Sequence, residues 1–141
     1  MTKIVGGCLC GAVRYRAEAN TKPAMTGVCH CRDCQKQTGS SFSILIAVPK
    51  GTIHFEGEPL ASFETKSGDG RSVLRRFCPK CGSPIASVVE ATPRLDWIKA
   101  GTLDDTSWLQ PQVNMWCETA QPWINICEDI PRFPRNPPMK P

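Results

Sequence analysis

The cysteines of this chain arrive in tight groups, and that grouping constrains the fold more than any other feature. Nine are present. Cys8-Leu9-Cys10 is a C-x-C. Cys29-His30-Cys31-Arg32-Asp33-Cys34 is a C-x-C-x2-C. Cys78-Pro79-Lys80-Cys81-Gly82 is a C-x2-C followed by glycine. Cys117 and Cys127 stand apart. An odd number cannot all pair within one chain. The opening Met1-Thr2-Lys3-Ile4-Val5-Gly6-Gly7 has one lysine and lacks the apolar stretch of a secretory leader. The expectation is therefore a reducing, cytoplasmic setting, where dense cysteine signals metal or catalysis more often than disulfides.

Spacing divides the thiols. In the C-x2-C-G unit a tight turn aims two thiolates at one ion, and glycine lets backbone amides approach sulfur. A structural zinc takes four ligands in a tetrahedron. Cys8 and Cys10, at i and i+2, point to one face if that segment is extended, and Cys78 and Cys81 supply the other two ligands. Cys29, Cys31 and Cys34 remain. Three protein ligands with an open position are the mark of a catalytic zinc. Two zinc ions per chain follow. Spacing alone also lets Cys8 or Cys10 complete the second set, and redox disulfides in the short units are the main alternative. His30 lies between two ligands and should project away from them. His54 has no spacing that favours it as a ligand. Cys117 and Cys127 fall in apolar, strand-like runs and read as small buried residues.

A chain of 141 residues fits one ordinary domain. Its 11 glycines and 13 prolines are spread out, which favours many short elements over a helix bundle. Val13, Tyr15 and Ala17 alternate with Arg14, Arg16 and Glu18, the period of a half-buried strand. Residues 42–48 are nearly continuous apolar and β-branched, as in a buried central strand. Further strands are expected around Ile53 and Phe55, around Ala61 and Phe63, and over 73–77, 85–89, 95–100, 113–117 and 123–127. Turn signals recur about every 8–12 residues, the habit of an all-β domain. One short helix is expected over 33–37, closed by Gly39. Residues 1–130 read as a single domain. Residues 131–141 read as an extended proline-rich tail with Phe133 as its packing residue.

The formal charge of +4 falls to about +1 once seven thiolates hold two divalent ions. A nearly neutral protein has no generic pull toward nucleic acid or an anionic membrane, so neither is expected as a partner. No apolar run approaches the roughly 20 residues of a membrane helix. Gln35, Lys36, Thr38, Ser40 and Ser41 lie beside the triad and could anchor a substrate, although helix capping and surface solvation account for them better. Arg71, Arg75, Arg76 and Lys80 read as a solvated face that offsets a four-thiolate site, since Arg75 and Arg76 must face opposite sides of a strand. Trp97, Trp108, Trp116 and Trp123 read as mostly core. Trp116 and Trp123 could also wall a pocket.

The order C-x-C-G, C-H-C-x2-C-x-K-x-T-G-S and F-C-x-x-C-G-S resembles the superfamily of the glutathione-dependent formaldehyde-activating enzyme and centromere protein V. The likeness extends to Gly6-Gly7-Cys8-Leu9-Cys10-Gly11-Ala12-Val13-Arg14-Tyr15, to Arg76-Phe77-Cys78-Pro79-Lys80-Cys81-Gly82-Ser83-Pro84, to Gly101-Thr102-Leu103-Asp104-Asp105 and to Pro122-Trp123. It covers about residues 4–127. The resemblance implies a β-tent fold of stacked antiparallel sheets bridged by zinc. Cys8, Cys10, Cys78 and Cys81 would hold a structural zinc, and Cys29, Cys31 and Cys34 a catalytic one. It also implies an enzyme of the carbon–sulfur lyase class. The name-giving member joins formaldehyde and glutathione into S-hydroxymethylglutathione. A small-molecule thiol, glutathione or another, and a carbonyl would be the substrates. Two rivals stay open: a zinc hydrolase acting on a small imine or amide, and a non-catalytic zinc-stabilised binding module of the kind centromere protein V suggests.

Overall fold

Strand alternation sets the architecture. The computed structural model describes residues 3–126 and 128–138. Among the described residues ten strands form in chain order: β1 (Val5–Gly7), β2 (Val13–Ala17), β3 (Met25–Cys29), β4 (Ser43–Pro49), β5 (Ile53–Gly57), β6 (Ala61–Lys66), β7 (Ser72–Phe77), β8 (Pro84–Val89), β9 (Leu95–Lys99) and β10 (Val113–Met115). The one α-helix among them, α1 (Arg32–Thr38), lies between β3 and β4. The fold is mainly β, as expected. A three-stranded sheet has the order β1-β2-β5, and a seven-stranded sheet has the order β10-β3-β4-β9-β8-β7-β6. Pairings are antiparallel except β10 on β3, which is parallel.

The two faces of the large sheet hold different residues because successive side chains point to opposite sides. Ile46 and Val48 of β4 and Ile98 of β9 face the small sheet and pack with its Val13 and Tyr15, all nearly or fully buried. Leu45 and Ala47 of β4, Trp97 of β9 and Cys29 of β3 occupy the other face, with Val113 and Met115 of β10. Between Arg76 and Phe77 the β7–β8 register shifts, so Ile85 has no partner of its own. Such an extra residue bends a strand and resets its alternation. Ile85 thereby joins Ala86 in the core between the sheets, just after the chain leaves the Cys78–Cys81 turn.

β3 was not expected, and β1 stops at Gly7, short of the Cys8–Cys10 stretch read as extended; glycine weakens the signal of both. Glycine is required there by close approach. A Cβ on Gly6 would meet the Thr102 carbonyl oxygen at 2.2 Å and the Tyr15 hydroxyl at 2.5 Å. The strand expected over 113–117 stops at Met115, because Trp116 takes a left-handed φ of 58° and a 3-10 turn, Cys117–Thr119, follows. Residues 123–126 form turn and irregular backbone instead of a strand. Cys127 lies outside the described residues. Residues 131–135 run beside β10. Asn114 N donates to Pro131 O (2.9 Å), Phe133 N to Asn114 O (2.9 Å) and Trp116 N to Arg135 O (3.1 Å). Phe133 packs on the Trp97 face. Among the described residues no helix is long and apolar enough to cross a membrane.

Candidate metal centres and cavity

Two sets of thiols converge, matching the division read from spacing. The sulfurs of Cys8, Cys10, Cys78 and Cys81 all lie within 4.8 Å of one another, as do those of Cys29, Cys31 and Cys34. Both sets are able to hold a metal ion, so the fold is compatible with two ions per chain.

The four-thiol set joins two turns. Residues 8–10 are not extended as expected. They turn, with Gly11 N donating to Cys8 O (3.2 Å) and Gly11 at a φ of 81°. Gly82 N donates likewise to Cys78 O (2.9 Å). The sulfurs of Cys8 and Cys10 come to 3.6 Å and those of Cys10 and Cys78 to 3.8 Å. Backbone amides of Val13 and Lys80 donate to the sulfurs of Cys8 (3.2 Å) and Cys78 (3.4 Å). Ser83, 3.1 Å from the Cys81 sulfur, is the main cause that draws that thiol down to about 5. Donors aimed at sulfur favour the thiolate, the form a metal needs.

The three-thiol set is built on the β3–α1 junction. Cys29 ends β3, Cys31 caps α1 and Cys34 sits in its first turn. The Cys31 sulfur accepts from Cys34 N at 3.3 Å. The neighbouring Cys29 and Cys31 thiols hold the Cys34 thiol down at about 2 against the effect of burial, with Lys99 and Arg75 adding attraction. Cys29 is pushed the other way, first by its bond to Cys31.

This set opens on a cavity of about 580 Å³. Leu45, Val73, Val89, Trp97, Met115 and Trp116 give it apolar walls. Its charge comes from residues that the sequence placed elsewhere. Arg75 is no part of a solvated face: it is 8% exposed. Its Nη1 reaches the Cys34 sulfur at 3.8 Å and Gln37 Oε1 at 3.1 Å, and its Nε donates to Thr65 Oγ1 at 3.1 Å. Lys99, a residue that drew no attention in the sequence, is buried and donates to Ser43 Oγ at 2.8 Å. Burial pulls its ammonium down, and Cys34 partly restores it. Arg71 lines the rim, paired with Asp69 at 3.2 Å. Arg76 points to the opposite side, over the Phe55 ring at 5.1 Å, and Lys80 pairs with Glu58 at 3.1 Å.

The other candidates fall into place. Gln35 is buried and structural, donating to His30 O (2.7 Å) and Thr119 O (3.0 Å). Thr38 donates to Cys34 O (2.8 Å), and its oxygen accepts from Ser40 N (3.2 Å). Lys36 and Ser40 are exposed, and neither they nor Ser41 line the cavity. His30 turns away from the thiols to Asn114 (3.0 Å). His54 lies in the other sheet beside Glu18 (3.2 Å). Cys117 is half-buried in the 3-10 turn after Trp116, not buried in a strand. Trp116 walls the cavity, whereas Trp123 is 68% exposed. Trp97 is core and wall at once, its Nε1 donating to Thr92 (2.9 Å).

Comparisons agree with this arrangement. The chain is 28% identical over 111 residues to a Podospora anserina protein and 27% identical over 125 residues to a Halomonas elongata protein. Both carry the provisional name glutathione-dependent formaldehyde-activating enzyme. These matches take in 74% and 86% of this chain. The chain spans about half the length of the Podospora relative (50%) and 79% of the Halomonas one. The crystal structure of a Rhodobacter sphaeroides protein superposes with a TM-score of 0.58 at 17% identity, over 92% of this chain and 100% of the other. That likeness shows a shared fold. The model of the family described as glutathione-dependent formaldehyde-activating enzyme matches residues 3–119, most of the chain and both thiol sets, and the chain belongs to that family.

Proposed function

We propose that the three-thiol set is a zinc centre where this chain joins, or in reverse cleaves, a small thiol and an aldehyde, an activity of the carbon–sulfur lyase class. One contrast supports this most. Cys29, Cys31 and Cys34 stand on a cavity wall, while Cys8, Cys10, Cys78 and Cys81 lie outside that lining and already number four. Thiolate is a donor that zinc accepts in closed four-ligand sites and in catalytic ones with a free position. When bound, zinc supplies a positive charge that keeps an incoming thiol ionised at neutral pH.

The chain's own residues supply the rest. The walls formed by Trp97, Trp116, Leu45 and Met115 are apolar and hold a carbonyl carbon against the sulfur, raising its effective concentration. Arg75 and Lys99 offer N–H donors to oxygen that gains charge as the carbon–sulfur bond forms. The proton lost by the thiol matches the one gained by the new hydroxyl, so nothing else is consumed. At about 580 Å³ the cavity has the volume of a small-molecule site, and glutathione is one candidate thiol. We place the protein in the cytoplasm, without nucleic-acid or membrane partners.

The test is exchange NMR of formaldehyde with a panel of thiols, with and without zinc-loaded protein. Acceleration above the spontaneous exchange, lost in Cys34→Ser, is expected. No acceleration with any thiol, alongside turnover of an imine or amide, would replace this function with hydrolysis.

A further inference from the structure

The cavity holds more positive charge than its thiols require. Arg75, Ser87 and Trp97 form one cross-strand row on β7, β8 and β9, with Arg75 opposite Ser87 and Ser87 opposite Trp97. Opposed side chains of such a row start about 5 Å apart. Lys99 lies two residues beyond Trp97 on the same face, and all four line the cavity. Each polar member has capacity to spare. Ser87 Oγ is buried without a hydrogen-bond partner, a costly state for a hydroxyl. Lys99 can donate three protons, and Ser43 accepts one of them. Arg75 Nη2 makes no hydrogen bond among the described residues and lies 3.9 Å from Asp33 Oδ2, beyond hydrogen-bond reach. Three thiolates with a divalent ion carry one net negative charge, which balances one of the two buried cations. Asp33 is half exposed and screened. A buried cation needs a partner, and one is left over.

Resting on the thiol–aldehyde function above, we infer that Arg75, Ser87 and Lys99 form an oxyanion subsite that selects a thiol carrying a carboxylate close to its sulfur. Thr65 and Gln37 fix the guanidinium from behind, so the subsite is built before the ligand arrives. Its reach is short. Arg75 Nη1 lies 3.8 Å from the Cys34 sulfur. With about 1.5 Å per bond, the carboxylate and the thiol of the ligand are separated by about two or three carbons. A compact mercapto acid meets that requirement better than a long peptide thiol.

Calorimetric titration of the zinc-loaded full chain tests this with 3-mercaptopropionate against its neutral amide, and propionate against propionamide. The acid should bind about tenfold or more tightly than the amide, as charge-assisted hydrogen bonds predict. The preference should collapse in Lys99→Met and shrink in Ser87→Ala, which removes no charge and little volume. Melting curves and metal content confirm that each variant is folded and loaded. Equal binding of acid and amide overturns the subsite while sparing the thiol function. So does an unchanged preference in both variants. If neither thiol binds, the thiol function fails, but saturable binding of propionate that Lys99→Met abolishes still upholds the subsite, and its absence refutes it.

Discussion

Replacing Cys78 by serine should cost the chain much more than replacing Cys34, and chain topology sets the size of the difference. Cys10 and Cys78 are 68 residues apart, with sulfurs at 3.8 Å. An ion shared between them closes that loop. In the chain-entropy treatment of cross-links a loop of this length is worth about 4 kcal/mol, and a loop of about five residues, as between Cys29 and Cys34, about 2 kcal/mol. Cys78 is also fully buried, so serine would leave a hydroxyl among three thiolates. Domains have total stabilities of about 5–15 kcal/mol. Losing the long clip removes a large share, and losing the short one does not. At about 3–4 °C per kcal/mol for a chain of this size, Cys78→Ser should lower Tm by about 12–16 °C or prevent folding. Cys34→Ser should lower it by no more than about 6–8 °C. Circular-dichroism melts of chelator-free, zinc-loaded samples measure both. A larger loss in Cys34→Ser would mean that the two thiol sets have exchanged roles.

Tyr15 is the only tyrosine, so absorbance at 295 nm follows it alone. Burial, opposed by its bond to the Thr102 hydroxyl, raises its phenol from 10.0 to about 12. The folded state therefore favours the neutral phenol. That contribution is complete below pH 10 and is lost as pH rises from 10 to 12, about 2–3 kcal/mol in all. A phenolate transition at pH 10 in the folded protein would contradict the packing of Tyr15, and Tyr15→Phe should flatten the alkaline loss. Gly6→Ala drives a methyl group to 2.2 Å from a backbone oxygen and should cost about 2–3 kcal/mol in urea unfolding. An unchanged midpoint would show that β1 does not lie against Thr102.

The thiol sets were legible because their spacing is local: a turn or the start of a helix brings Cys29, Cys31 and Cys34 together. Strands with clean alternation, such as β2 and β7, were legible for the same reason. The cavity was not. Arg75 faces it because β7 pairs with β8 in the register that sets Arg75 opposite Ser87, and Lys99 because β9 pairs with β4 in the register that sets it opposite Leu45. No short-range pattern encodes those pairings. Strand parity did separate Arg75 from Arg76, and it would have put Lys99 on the side of Trp97. That hint was open in the sequence: one lysine in an otherwise apolar strand ending. β3 was hidden by a glycine that the packing demands, and the C-x-C unit by a turn where an extended strand also satisfied the spacing.

The most direct test of the central claim is the absorption spectrum of the cobalt-substituted protein titrated with a small thiol. Thiolate-to-cobalt bands in the near ultraviolet grow with each sulfur bound. If Cys29, Cys31 and Cys34 hold a metal with a free position, added thiol should raise those bands to saturation in the native chain and leave them unmoved in Cys34→Ser. A native spectrum indifferent to millimolar thiol, or an equal response in Cys34→Ser, would contradict the account.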